Sequence, residues 1–135
     1  CKLAALLDQA ILLAQESTTP QSAIAQLGEG WVAEEAVAIA LYCALKYKDD
    51  FRSALIAAVN HSGDSDSTGS LTGNILGAYA GYDKIPASML ENLELYDVIK
   101  IITEDLYALC ATEGNDACYS ENWQHKYIKA DYKLT

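Results

Sequence analysis

Phe51-Arg52-Ser53-Ala54-Leu55-Ile56-Ala57-Ala58-Val59 runs into Asn60-His61-Ser62-Gly63-Asp64-Ser65-Asp66-Ser67-Thr68-Gly69, and the reading of its first nine residues decides the fold. As a buried strand they would deliver Asp64 at a strand end and demand a sheet. They read instead as a helix, capped by Asp49 or Asp50 and running to about Asn60, and no βαβ pattern follows. Nowhere else is an alternating segment long enough for a strand. The class is all-α, a multi-helix orthogonal bundle.

Outward from this stretch the chain reads as helices joined by short polar connections. Leu3, Leu6, Leu7, Ala10, Ile11 and Ala14 keep a helical period to about Gln15. Ser17, Thr18 and Thr19 offer caps, and Pro20 suits the first turn of a short helix to about Gln26. Leu27-Gly28-Glu29-Gly30-Trp31 is a glycine-punctuated loop. Val32 to Tyr47 follows as a strong helix, with Val32, Ala36, Ile39, Ala40 and Cys43 along one side. Glu34 and Glu35 sit near its N-terminus, where the dipole favours them. Behind the aspartates a glycine-rich helix runs to about Tyr82. Pro86 to Asn92 reads as a short helix or turn, Tyr96 to Leu109 as a longer helix, and the polar, aromatic end from Gly114 as one further helix through Tyr127.

The bulk properties fit one domain. The 135 residues suffice for a single core but not comfortably for two, so 1–135 is read as a single domain. Nineteen acidic against nine basic residues give a net charge of −10, which argues against a direct nucleic-acid surface. No apolar run reaches the ~18–20 residues of a membrane span, and no signal peptide is read. Cys1, Cys43, Cys110 and Cys118 show no C-x-x-C spacing. They read as reduced, partly buried thiols of a cytoplasmic protein, with a Cys110–Cys118 disulfide as the open alternative.

Gly69, Gly73, Gly77 and Gly81 recur every four residues and form one stripe on their helix. Each interior glycine costs roughly 0.8–1 kcal/mol relative to alanine, so the stripe implies close packing that fixes where the N-terminal aspartates point. Those aspartates concentrate the chemistry of the chain. Asp64 and Asp66, with hydroxyls from Ser62, Ser65, Ser67 and Thr68, suit a hard divalent cation such as Mg²⁺ or Mn²⁺. A calcium EF-hand does not fit, because Thr68 is weak at loop position five and Ile75 stands where a bidentate glutamate is needed. Asp64-Ser65-Asp66-Ser67-Thr68 also matches the Asp-x-Asp-x-Thr signature of haloacid-dehalogenase-like phosphatases, but that chemistry requires the strand that the sequence does not supply.

A more specific likeness covers Asn60 to Gly69 together with Gly73-Asn74-Ile75-Leu76-Gly77-Ala78. This run resembles the C-terminal metal motif of the ADP-ribosylglycohydrolase family. Leu27 to Ala36 and Ala38-Ile39-Ala40-Leu41-Tyr42 resemble the landmark that precedes it, and the likeness runs from about Leu27 to Leu95. The resemblance implies an all-helical fold, two Mg²⁺ or Mn²⁺ ions in the complete site, and hydrolysis of the bond at C1 of the ribose in an ADP-ribosylated protein or small molecule. It also implies that Asp64 and Asp66 ligate metal, with Ser67 in place of the family's usual threonine, and that Glu29, Gly30 and Trp31 line the substrate cleft. Trp31 reads equally as a half-buried packing residue, and His61 as a local hydrogen-bonding group.

The family's N-terminal Gly-Asp-x-x-Gly stretch, its catalytic glutamate and its Thr-Asp cluster do not occur here, so no catalytic residue is assigned. The chain is expected to be the C-terminal portion of a larger hydrolase, inactive alone, weak in metal binding and prone to self-association through the face left open by the N-terminal portion. The competing class is a non-catalytic helical interaction module with a degenerate metal loop, for which the acidic surface and Tyr119, Tyr127 and Tyr132 leave room.

Overall fold

The computed structural model describes residues 2–111, 121–127 and 129, which form helices and the loops between them, with no strand. The all-α class holds, and the helix at Phe51–Val59 removes the strand that a phosphatase site would need. The chain divides into two compact units, Cys1–Glu91 and Asn92–Thr135.

In the first unit, α1 (Lys2–Gln15) and α2 (Pro20–Leu27) precede the central α3 (Ala33–Lys46), followed by α4 (Phe51–Val59) and α5 (Ser65–Ala80). A 3₁₀ turn at Tyr82–Lys84 and the short α6 (Ala87–Leu90) complete it. The starts obey local capping chemistry. Thr19 accepts the Ser22 amide ahead of Pro20, and Asp50 accepts the Ser53 amide at 3.0 Å. Hydrogen bonds from the Ser53 hydroxyl and amide hold the Asp50 carboxyl below the usual carboxylate range.

Helix α3 packs against α1, α2, α4 and α5. The sequence pattern gave it one apolar side, but the structure buries Ala36, Ala38, Ile39, Ala40, Tyr42, Cys43 and Ala44 and leaves Val32 exposed. Four of those seven side chains are alanine, and such short side chains let neighbours approach from several directions. On α1 the core-facing residues are Ala10 and Leu13, with Leu6 and Ala14 packed alongside, while Leu3 and Ile11 face outward. Fully burying Ile24, Leu27 or Ile39 contributes roughly 1.5–3 kcal/mol each. Cys43 is a buried free thiol, and burial pushes its pKa up to about 12.

The glycine stripe is tight at one end only. A Cβ at Gly69 would come within 2.6 Å of Val59 Cγ1, where α4 meets α5. At Gly73 the same atom would meet Leu55 Cδ2 at an ordinary 3.8 Å, and at Gly77 and Gly81 nothing lies within 4 Å. The expectation of a continuous close-packed stripe is corrected accordingly. Gly81 answers a different need: it ends α5 at φ +84° and donates its amide to the Gly77 carbonyl. Nothing among the described residues explains Gly77.

The second unit holds α7 (Tyr96–Ala111) and α8 (Glu121–Tyr127). Asp105 of α7 accepts hydrogen bonds from Lys126, at 2.6 Å, and from the Tyr127 hydroxyl; the two hold its carboxyl below the usual carboxylate range. Cys1, the Cys110 side chain, Cys118, Tyr119 and Tyr132 lie outside the described residues, and with them the disulfide alternative. Among the described residues no helix is long and apolar enough to cross a membrane.

Candidate metal centre and the loop docked on it

Helix α5 begins inside the stretch that the sequence presented as a loop. Asp64 is its N-cap, accepting the Ser67 amide over a long 3.5 Å, while Asp66 in the first turn accepts the same amide at 2.9 Å. Asp66 and Ser67 are therefore helical, and the positive end of the α5 dipole favours both carboxylates. The Asp64 carboxyl lies below the usual range. A hydrogen bond with the Asp66 carboxyl is the largest cause, followed by the Ser67 hydroxyl, with the Ser67 amide adding to it and desolvation opposing. Asp64, Asp66 and Ser67, named together from the sequence, are thus brought together in space.

His61 is committed to holding this turn. Its Nδ1 accepts the Gly63 amide at 3.1 Å, which assigns the ring proton to Nε2, and Nε2 lies 3.0 Å from Thr68 Oγ1. Thr68 is fully buried and directs its own hydroxyl proton to the Ala58 carbonyl at 2.7 Å. Both imidazole nitrogens are engaged, in keeping with the local role read from the sequence.

The 28–31 loop docks directly on the aspartate turn. The Glu29 carbonyl accepts the Asp64 amide at 2.8 Å. Gly63 lies so close beneath Glu29 that a Cβ would overlap its carbonyl group. Gly30 is buried at φ +83°, where a Cβ would stand 3.1 Å from Thr68 Cγ2 and 3.5 Å from the Asp64 carbonyl. Trp31 follows at 67% exposure, so it is a surface side chain and not the half-buried packing residue of the alternative reading. Its indole N–H donates to the Glu29 carboxylate at 3.2 Å.

Glu35 reads from the sequence as a charge near a helix N-terminus, and the structure gives it more to do. Its Oε2 accepts the Glu29 amide at 3.2 Å and the Gly30 amide at 3.3 Å. A glycine-flanked loop with two unassigned amides, followed by a carboxylate in the next helical turn, was the available signal. A cleft of about 620 Å³ opens beside both loops, between Gln21, Ile24 and Ala25 of α2 and residues 59–62.

The donor set fits part of a hard-cation shell. Two carboxylates and one hydroxyl converge at the start of α5, while no group of three or more His, Cys, Asp or Glu gathers anywhere among the described residues. An octahedral ion needs further oxygen ligands.

A family model for ADP-ribosylglycohydrolase matches residues 1–116. The chain belongs to the ADP-ribosylglycohydrolase family. The match reaches well beyond the 27–95 span carried by the motifs, taking in α1 and α2, whose alanine- and leucine-rich helices have no distinctive residues. The chain is 31% identical over 106 residues to human ADP-ribosylhydrolase ARH3, covering 71% of this chain and 29% of that protein. It is 43% identical over 68 residues to the ADP-ribosyl-[dinitrogen reductase] glycohydrolase of Rhodospirillum rubrum, covering 50% and 23%. With the ADP-ribosylarginine hydrolase Tri1 of Serratia proteamaculans (strain 568) it shares 35% identity over 65 residues, covering 48% and 18%. The chain thus spans less than a third of the length of the curated relatives it matches. No solved structure matches it significantly.

Proposed function

We propose that this chain supplies the C-terminal half of the metal site of an enzyme that hydrolyses the glycosidic bond at ribose C1 of ADP-ribosylated proteins or small molecules. The observation that carries the proposal is the docking of the 28–31 loop on the Asp64 turn through the 2.8 Å bond from the Asp64 amide to the Glu29 carbonyl. This contact ties the loop that carries the exposed Trp31 to the turn that carries Asp64, Asp66 and Ser67, in a chain whose relatives are named as ADP-ribosylhydrolases.

In this reading Asp64, Asp66 and Ser67 hold Mg²⁺ or Mn²⁺, two ions in the complete site, with the remaining ligands and the catalytic glutamate coming from the N-terminal portion. Bound divalent ions supply orientation of the ribose hydroxyls and activation of water. The rest falls to the chain's own groups. Asp64 and Asp66 keep the turn anionic, Glu29 fixes the indole by accepting its N–H, and the Trp31 face forms the wall of the ADP-ribose cleft, with the buried Gly30 setting the turn that presents it. His61 shapes the turn and moves no proton. We further propose that both compact units belong to one family domain, since the match at 1–116 runs across them, and that the protein is cytoplasmic, consistent with the free buried Cys43.

Calorimetry with Mg²⁺ and ADP-ribose on the enzyme completed with its N-terminal portion tests the reading. Binding of both ligands, lost in Asp66→Ala, supports the hydrolase. Absence of binding by either ligand favours the interaction module.

A further inference from the structure

Glu35 touches neither the candidate metal ligands nor the exposed face of Trp31, yet the local geometry runs through it. Its side chain is partly buried, at 23% exposure, and its carboxylate lies beneath the 28–31 loop. Gly28 accommodates it: at φ +126°, a Cβ there would stand 2.5 Å from the Glu35 Cδ. One oxygen accepts the Glu29 and Gly30 amides, which are the two backbone groups flanking the Glu29 carbonyl. That carbonyl in turn accepts the amide of Asp64, the first carboxylate of the metal turn. The other oxygen faces Lys2 at 3.7 Å, but the Lys2 side chain is 63% exposed and such a pair contributes little.

We propose that Glu35 is a positioning residue that locks the substrate-side loop to the metal turn and so sets the aim of Asp64 and the height of Trp31. The inference rests on the hydrolase reading for its consequence and on the hydrogen bonds alone for its mechanism. A carboxylate accepting two amides fixes their peptide planes, and with them the carbonyl between. Among the described residues no other side chain accepts those two amides, so without Glu35 the Asp64 amide loses a fixed acceptor. Groups that orient metal ligands typically change metal affinity 10–100-fold when removed.

The test uses the 135-residue chain. Amide hydrogen exchange at Asp64 reads the loop contact, and Mn²⁺ titration followed by water-proton relaxation reads the ligands. Glu35→Ala is expected to lower Asp64 protection about tenfold or more relative to amides of the α3 core, and to weaken Mn²⁺ binding about tenfold. Glu35→Gln keeps an oxygen acceptor in place and restores most of both. Glu35→Asp, shortened by one methylene, behaves like the alanine variant and serves if that variant fails to fold. Lys2→Ala changes neither readout. Unchanged Asp64 protection in Glu35→Ala or Glu35→Asp, or a loss spread evenly over all amides, overturns the proposal. If the wild-type chain and the completed enzyme bind no Mn²⁺, the metal reading fails, while the exchange data still decide whether Glu35 holds the loop.

Discussion

Gly63→Ala isolates the contact on which the functional reading depends. The atoms around the added methyl are backbone, not the yielding end of a side chain. The methyl would overlap the Glu29 carbonyl group, and even Glu29 Cα would stand only 2.8 Å away. Relief requires the 28–30 segment to lift off the turn, which breaks the 2.8 Å bond between the Asp64 amide and the Glu29 carbonyl. Overpacking of this kind costs roughly 1–3 kcal/mol, and the lost hydrogen bond about 0.5–1.5 kcal/mol more. The expected destabilisation is therefore about 2–4 kcal/mol, read by urea unfolding followed by circular dichroism. Gly77→Ala provides the contrast: its added methyl meets open space, and alanine gains up to ~0.8–1 kcal/mol over glycine within a helix. A Gly63→Ala variant within about 0.5 kcal/mol of the wild type would refute the reasoning, because the two loops could not then be packed as described.

Further expectations concern the core and its titrating groups. The Tyr42 hydroxyl is buried and has no hydrogen-bond partner among the described residues, so Tyr42→Phe should be neutral or stabilising by about 1 kcal/mol in thermal unfolding; a loss above about 1 kcal/mol would reveal a partner. With its pKa raised to about 12 by burial, Cys43 stays protonated in the folded state while the unfolded thiol ionises near its ordinary value of 9.0. Its contribution is thus fully present below pH 9 and lost as pH rises from there towards 12, and native Cys43 should not react with thiol reagents at pH 8. Asp50 works in the opposite direction. Its depressed carboxyl contributes stability above the ordinary carboxylate range, and acid titration should show that contribution disappearing as pH falls through the lower folded value, an effect absent from Asp50→Asn.

The helices were legible because the alanine and leucine periods are long and the caps chemically distinct: Thr19 before Pro20 and Asp50 before Phe51 both function as read. The aspartate turn was legible as a donor cluster, since two carboxylates and several hydroxyls stand within a few residues. Its exact form was not, because the capping by Asp64 draws Ser65 to Gly69 into α5. Contacts between distant segments escaped altogether. Nothing local announces that the Glu29 carbonyl meets the Asp64 amide, or that Gly63 is a glycine because another backbone lies above it. The glycine stripe misled for a related reason. Periodicity records which face is small, but only the path of α4 decides that Gly69 is crowded and Gly77 open.

The central claim is that Asp64, Asp66 and Ser67 form one half of a divalent-metal site for ADP-ribosyl hydrolysis. The most direct measurement is the rate of ADP-ribose release from an ADP-ribosylated substrate, with and without Mg²⁺ or Mn²⁺, by the 135-residue chain and by the enzyme completed with its N-terminal portion. The expected result is release by the completed enzyme only, dependent on the metal and lost in Asp66→Ala. Release at enzyme-like rates by the 135-residue chain alone, or by the completed enzyme regardless of Asp66, would contradict it.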